Sequence, residues 1–110
     1  MTTRLSGALY KRVFAEGTSI RSRLAVAWWR SAQEAQPQAG VVVSKRTFHD
    51  AVDRNRAKRI LREAFRLLAK EGAAPENTQW VFIGRGALEG KKCADVMRDM
   101  RWIFSKCARS

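Results

Sequence analysis

Along the chain, hydrophobic positions change period several times, and each change marks an element. Leu9, Tyr10, Val13 and Phe14 recur at helical spacing behind Ser6, and Gly17 follows Glu16 as a left-handed stop, so a short helix is predicted from Ser6 through Glu16. "LAVAWWR" (Leu24 to Arg30) and "GVVVSKR" (Gly40 to Arg46) then read as strands, separated by the polar loop "SAQEAQPQ" that contains Pro37. That pairing predicts an antiparallel hairpin, with residues from about Thr18 to Arg23 adding a short edge strand. A further strand, "QWVFIGR" from Gln79 to Arg85, follows the loop "EGAAPENT".

Two longer helices complete the pattern, and their polar faces differ. In "DRNRAKRILREAFR" and the residues after it, Ala57, Ile60, Leu61, Ala64, Phe65, Leu67 and Leu68 fill an arc of about 160° at ~100° per residue, wide enough to cover a sheet. The opposite arc holds Asn55, Arg56, Lys58, Arg59, Arg62 and Arg66, with Glu63 the only acid among them. Lys58, Arg62 and Arg66 are like charges four residues apart, an arrangement that weakens an isolated helix, so compensation from outside the chain is expected. The last helix, from about Lys91 to Ala108, has Cys93, Val96, Met97, Met100, Ile103, Phe104 and Cys107 on one face. Its other face mixes Asp95 and Asp99 with Arg98 and Arg101, as a solvated surface does.

Composition changes this picture chiefly through charge. The 110 residues fit one domain, 1–110, and a hydrophobic content of 45% belongs to a folded chain. Twenty-two Lys and Arg against ten Asp and Glu give a net charge of +12, which points to a polyanion: nucleic acid first, an anionic membrane surface second. No run approaches the ~20 apolar residues of a membrane span, and Lys11 and Arg12 interrupt any secretion-type core, making the cytoplasm the default location. The two cysteines, Cys93 and Cys107, lie about 21 Å apart along one helix and cannot bridge to each other; their apolar side marks them as buried thiols.

The chain offers little chemistry of its own. No nucleophile–base pair, paired carboxylates or metal-ligand spacing is visible. His49 is the single histidine and reads as a polar loop residue, and Asp50 with Asp53 read as helix-start acids before a magnesium pair. Arginine is different in kind, since its planar fork of donors meets phosphate oxygens two at a time. Trp28 and Trp29 are adjacent in a strand and face opposite sides of the sheet, so an outward ring would give unpaired bases a platform. Periodicity leaves open whether one ring faces outward or all of them pack the core.

Arg54-Asn55-Arg56 with the following "AKRILREAFR" resembles the RNR motif of the bacterial ribonuclease P protein component. "RVFAEG" (Arg12 to Gly17), "VVVSKR" and "WVFIGR" resemble that family's other motifs in the same order, over about residues 4 to 107. The resemblance implies a small α/β (α+β) sandwich-like domain: three helices on a central, mostly antiparallel sheet, in the order α-β-β-β-α-β-α. It also implies a left-handed crossover around the RNR helix, as in a small-subunit ribosomal protein domain. The implied role is that of an accessory subunit, without a catalytic residue of its own, in an endonucleolytic ribonucleoprotein. There the catalytic RNA and its Mg2+ remove the 5′ leader of precursor tRNA, and neither a cofactor nor an obligate protein partner is implied for the protein.

Carried over by motif, Arg54, Asn55, Arg56, Lys58, Arg59 and Arg62 would contact the catalytic RNA, with Lys45 and Arg46 as the basic pair ahead of them. Tyr10, Phe14 and Trp28 match the aromatic positions of the leader cleft. Tyr10 stands where Phe is common and Trp28 where a smaller aromatic is common, and "TFHDAVD" lacks the Gly-Asn of many members, so no role transfers to His49 or Asp50. Two other readings compete. One is a structural RNA-binding protein of the ribosome or its assembly; the other, a DNA-binding helix, lacks a helix-turn-helix partner.

Overall fold

The computed structural model describes residues 5–33 and 36–107. Helix α1 spans Gly7–Glu16, and Ser6 occupies its N-cap with extended backbone angles, although its hydroxyl makes no capping bond. At the other end the expectation of a left-handed stop fails, because Gly17 is extended, with φ −94° and ψ 176°. Glycine is needed there for close approach instead. A Cβ would stand 2.4 Å from the carbonyl oxygen of Val13 and 2.5 Å from that of Trp29.

Four strands form: β1 (Thr18–Arg21), β2 (Ala25–Ser31) and β4 (Thr78–Gly84) near their predicted positions, and β3 (Gln38–Val42), which starts two residues before and ends four residues short of the predicted Gly40–Arg46. Their order in the sheet is β1-β2-β4-β3, so the predicted hairpin between β2 and β3 does not form. β4 lies between them, antiparallel to β2 and parallel to β3. The reason is burial. Six of the seven β4 residues are buried, a burden only a strand covered on both faces can carry. β3 therefore reaches β4 through a crossover that contains helix α2 (Ala51–Lys70), and the last described element is helix α3 (Cys93–Cys107).

The helices divide between the two faces of the sheet. α1 packs on β2 and β4 from one side; α2 and α3 pack on each other from the opposite side, α2 against β3 and β4 and α3 against β1. The larger core lies on the two-helix side. Trp80 and Phe82 stack with ring centroids 5.6 Å apart, Phe104 of α3 meets Trp80 edge-on at 5.0 Å, and Phe65 of α2 meets Phe82 at 5.7 Å. Trp29 joins this side, 5.8 Å from Trp80, so strand alternation sends Trp28 to the α1 side.

At the free edge, β3 is covered by the start of the chain. The Leu5 amide donates to the Ala39 carbonyl at 2.9 Å, and the Val41 amide donates to the Tyr10 hydroxyl at 3.1 Å. Two of the edge groups of β3 are thereby answered, which blunts the edge against strand addition. Tyr10 reaches Val41 by lying across Gly40, where a Cβ would stand 2.2 Å from the ring's Cζ.

Candidate RNA-binding faces

The basic residues of α2 divide by their position around the helix. Ala57, Leu61, Ala64, Phe65 and Leu68 are buried, a narrower arc than the sequence predicts, while Ile60 and Leu67 are half-buried flanks. Asn55, Arg59, Arg62 and Arg66 are exposed on the side away from the sheet. Arg66 is matched within the helix, since Glu63 accepts from its Nη2 at 2.5 Å and its Nε at 3.2 Å. That hydrogen bond, ahead of the attraction of charge, holds the Glu63 carboxyl below its ordinary pKa and raises that of Arg66. The one acid of the basic arc is therefore engaged, and Arg59 and Arg62 meet no carboxylate among the described residues.

Arg54 and Arg56 are each tied to backbone carbonyls. By rotation Arg54 lies toward the core side, and its Nη1 donates to the carbonyls of Phe48 at 3.0 Å and His49 at 2.8 Å, fixing the loop before the helix. Arg56, on the flank toward α3, donates from Nη2 to the Lys91 carbonyl at 3.1 Å. Each guanidinium has five N–H donors, so both retain donors beyond these bonds. Lys58 is half-buried beside them. Lys45 and Arg46, predicted at the end of a strand, belong to a turn, because β3 stops at Val42. Ser44 closes that turn: its Oγ donates to the Thr47 hydroxyl at 3.0 Å and accepts the Thr47 amide at 3.2 Å, leaving both basic side chains exposed.

On the other face, Phe14 and Trp28 meet edge-to-face with centroids 5.7 Å apart, and Phe14 stays 37% exposed. The α1 side of the sheet is a set of cross-strand rows. α1 covers the row Trp28–Val81–Gly40, and the next row, Val26–Ile83–Val42, is half-buried. That apolar row lies at the end of the sheet where β3 runs into the Lys45–Arg46 turn and α2 begins. Tyr10 is half-buried beside them, with its hydroxyl engaged by the Val41 amide and its ring lying over Gly40.

His49 is exposed, and Asp50 takes the N-cap position of α2 without a side-chain capping bond. Among the described residues no three His, Cys, Asp or Glu side chains converge as metal ligands, and no helix is long and apolar enough to cross a membrane. Both cysteines are free, and burial, their first cause of shift, pushes both thiols above the ordinary range. Sequence reasoning missed the rows beside α1, which need the strand order to be seen, and the role of Arg54 in the loop, which its rotation on the helix could have shown.

A small α/β domain that turns unanswered guanidinium groups outward beside half-buried aromatic and apolar rows belongs, by class, to the proteins that meet a polyanion. Its family follows from comparison. The Ribonuclease P family model matches residues 4–108, and the chain belongs to this family. It is 32% identical over 97 residues to the ribonuclease P protein component of Exiguobacterium sp., covering 88% of this chain and 82% of that one. It is 37% identical over 100 residues to the protein component of Dehalococcoides mccartyi strain 195, covering 88% and 77%. The RNase P protein from Thermotoga maritima superposes with a TM-score of 0.80 at 26% identity, over 94% of this chain and 96% of that one. Members are accessory subunits of an RNA-catalysed endonuclease that processes the 5′ end of tRNA, and these relatives do not favour the ribosomal reading.

Proposed function

We propose that this subunit binds the catalytic RNA of ribonuclease P through Arg54, Asn55, Arg56, Lys58, Arg59 and Arg62 of α2 together with Lys45 and Arg46. The 5′ leader of precursor tRNA, in turn, crosses the α1 side over Phe14 and Trp28, with Tyr10 supporting the wall. The observation that carries the reading is the one-sided face of α2: Arg59 and Arg62 point outward while the single neighbouring acid is held by Arg66. Phosphates of an RNA would supply the missing counter-charge. The apolar row Val26–Ile83–Val42 gives a single strand a floor, and the Phe14–Trp28 pair gives its bases a surface for stacking.

The chemistry belongs to Mg2+ held by the RNA, and the protein's contribution is to lower the charge repulsion between the two RNAs and to position the leader. This subunit would work in the cytoplasm, where its partners are made. Reconstitution with the catalytic RNA of its source at low Mg2+ tests the proposal. Added protein should stimulate cleavage of precursor tRNA, and no stimulation at any protein concentration would sink it.

A further inference from the structure

α3 reads in the sequence as an ordinary solvated helix, but in the fold both of its acids are engaged by backbone or hydroxyl donors. Asp99 accepts from the Ser22 hydroxyl at 2.5 Å and from the Leu24 amide at 3.4 Å, pinning the turn between β1 and β2. Asp95 accepts the Lys92 amide at 3.0 Å, across the start of the helix. Between that turn and α3 lies a pocket of about 690 Å³ with five basic and two acidic side chains in its lining. Arg21, Arg23 and Lys91 line it without meeting any carboxylate among the described residues, and Arg98 approaches Asp95 only to 4.0 Å. Trp102 forms part of its wall and stays 46% exposed, with the Lys106 ammonium 5.3 Å from its ring centroid. A large exposed indole in the same pocket as Arg21, Arg23 and Lys91 fits neither a core nor a plain solvated face.

The pocket's place in the fold gives it a partner. Arg85 follows β4 and donates to the Ser22 carbonyl at 2.7 Å, so the pocket opens at the same end of the sheet as the Lys45–Arg46 turn. Gly86, the next residue, lies against Thr47 of that turn, and Lys91 accepts the bond from Arg56 of α2. Basic side chains thus continue from α2 across the end of the sheet to the β1–β2 turn. We propose that this pocket is a second RNA site, which takes one unpaired nucleotide: its base stacks on Trp102, and its phosphates pair with Arg21, Arg23 and Arg98. The chemistry suits a nucleotide of the catalytic RNA or one of the precursor tRNA. The site rests on the reading of the chain as an RNA-binding subunit and lies outside the residues that reading names.

Two arms separate the sources. In the first, Arg21→Gln/Arg23→Gln, Trp102→Ala and Trp102→Phe variants are titrated with the catalytic RNA alone; in the second, precursor tRNA is titrated against ribonucleoprotein assembled with saturating variant protein. The double variant should weaken binding about tenfold in at least one arm and make the salt slope there shallower by about 1.4, as expected for two single-strand phosphates. Trp102→Ala should weaken the same arm about fivefold or more, with Trp102→Phe restoring most of the loss, because a ring of either kind stacks on a base. Loss in the first arm assigns the nucleotide to the catalytic RNA, and loss in the second to the substrate. All three variants matching the wild type in both arms would overturn the second site while leaving the proposed function intact. A wild-type protein that binds neither RNA would overturn both.

Discussion

In the proposed cleft Phe14 and Trp28 are the residues on which leader binding would depend most directly, because their rings touch each other and Phe14 keeps a third of its surface in water. Stacking of a base on an aromatic contributes about 1–3 kcal/mol, so Phe14→Ala or Trp28→Ala should lower the affinity gained from a leader by about fivefold or more. The measurement is binding of precursor and mature tRNA to the assembled ribonucleoprotein, and an unchanged ratio of the two would count against the cleft. Trp29→Phe should leave that ratio alone, since Trp29 packs against Trp80 on the other side of the sheet. Tyr10 is a different kind of residue. Tyr10→Phe removes the acceptor of the Val41 amide and should cost about 1 kcal/mol of stability, whereas Gly40→Ala forces the whole ring off the strand and should cost about 1–3 kcal/mol. Urea unfolding of the two variants checks the order, and Gly40→Ala as stable as the wild type would show that the ring does not need its place.

At the scale of elements, α2 joins two opposed demands, a core face and a charged one, and its charged face can be tested without touching the core. Arg59→Gln/Arg62→Gln should make the slope of log K against log salt for the catalytic RNA shallower by about 1.4–1.8, out of roughly 3.5–4.5 for five phosphate contacts, with little change in unfolding. An unchanged slope would place the RNA elsewhere. This helix was legible in the sequence because period and charge agree along it, and so was the order of elements. The pairing of strands was not. "GVVVSKR" and "LAVAWWR" have similar apolar density, and nothing local shows that "QWVFIG", sixty residues after the first helix, separates them. The signal was there in weaker form: its unbroken apolar run is that of a strand covered on both faces. Gly17 shows a second limit, since a glycine needed for the approach of Trp29's carbonyl looks the same in sequence as one needed for a left-handed turn. At the candidate site, residue types were legible and their engagements were not. Arg54 holds the loop just before its own helix, a local bond that its rotation on the helix could have shown, whereas Asp99 holds a turn 75 residues away in sequence, and such a long-range bond leaves no local pattern.

For the whole molecule, the net charge of +12 matters less than where it sits. The Lys45–Arg46 turn, the start of α2 and the open apolar row all meet at one end of the sheet. The far end of α2, 20 residues on, lies about 30 Å away along the helix, where Arg101 pairs with Glu71 at 2.8 Å. A polyanion drawn only by net charge would respond equally to the loss of two charges at either end. One seated at the first end would not, because screening at physiological salt confines an exposed charge to about 8 Å. Lys45→Gln/Arg46→Gln and Lys70→Gln/Arg101→Gln make this comparison at equal net charge, and the ion pair lost in the second is exposed and contributes little. Titration with the catalytic RNA at about 0.15 M salt should show roughly tenfold weaker binding for the first pair and less than about twofold for the second. Leader-dependent binding of precursor tRNA should fall with the first pair as well, since the same turn borders the row Val26–Ile83–Val42. Equal losses from the two pairs would mean that the molecule is held by its total charge, and that the convergence of basic and apolar surfaces at one end of the sheet has no part in recognition.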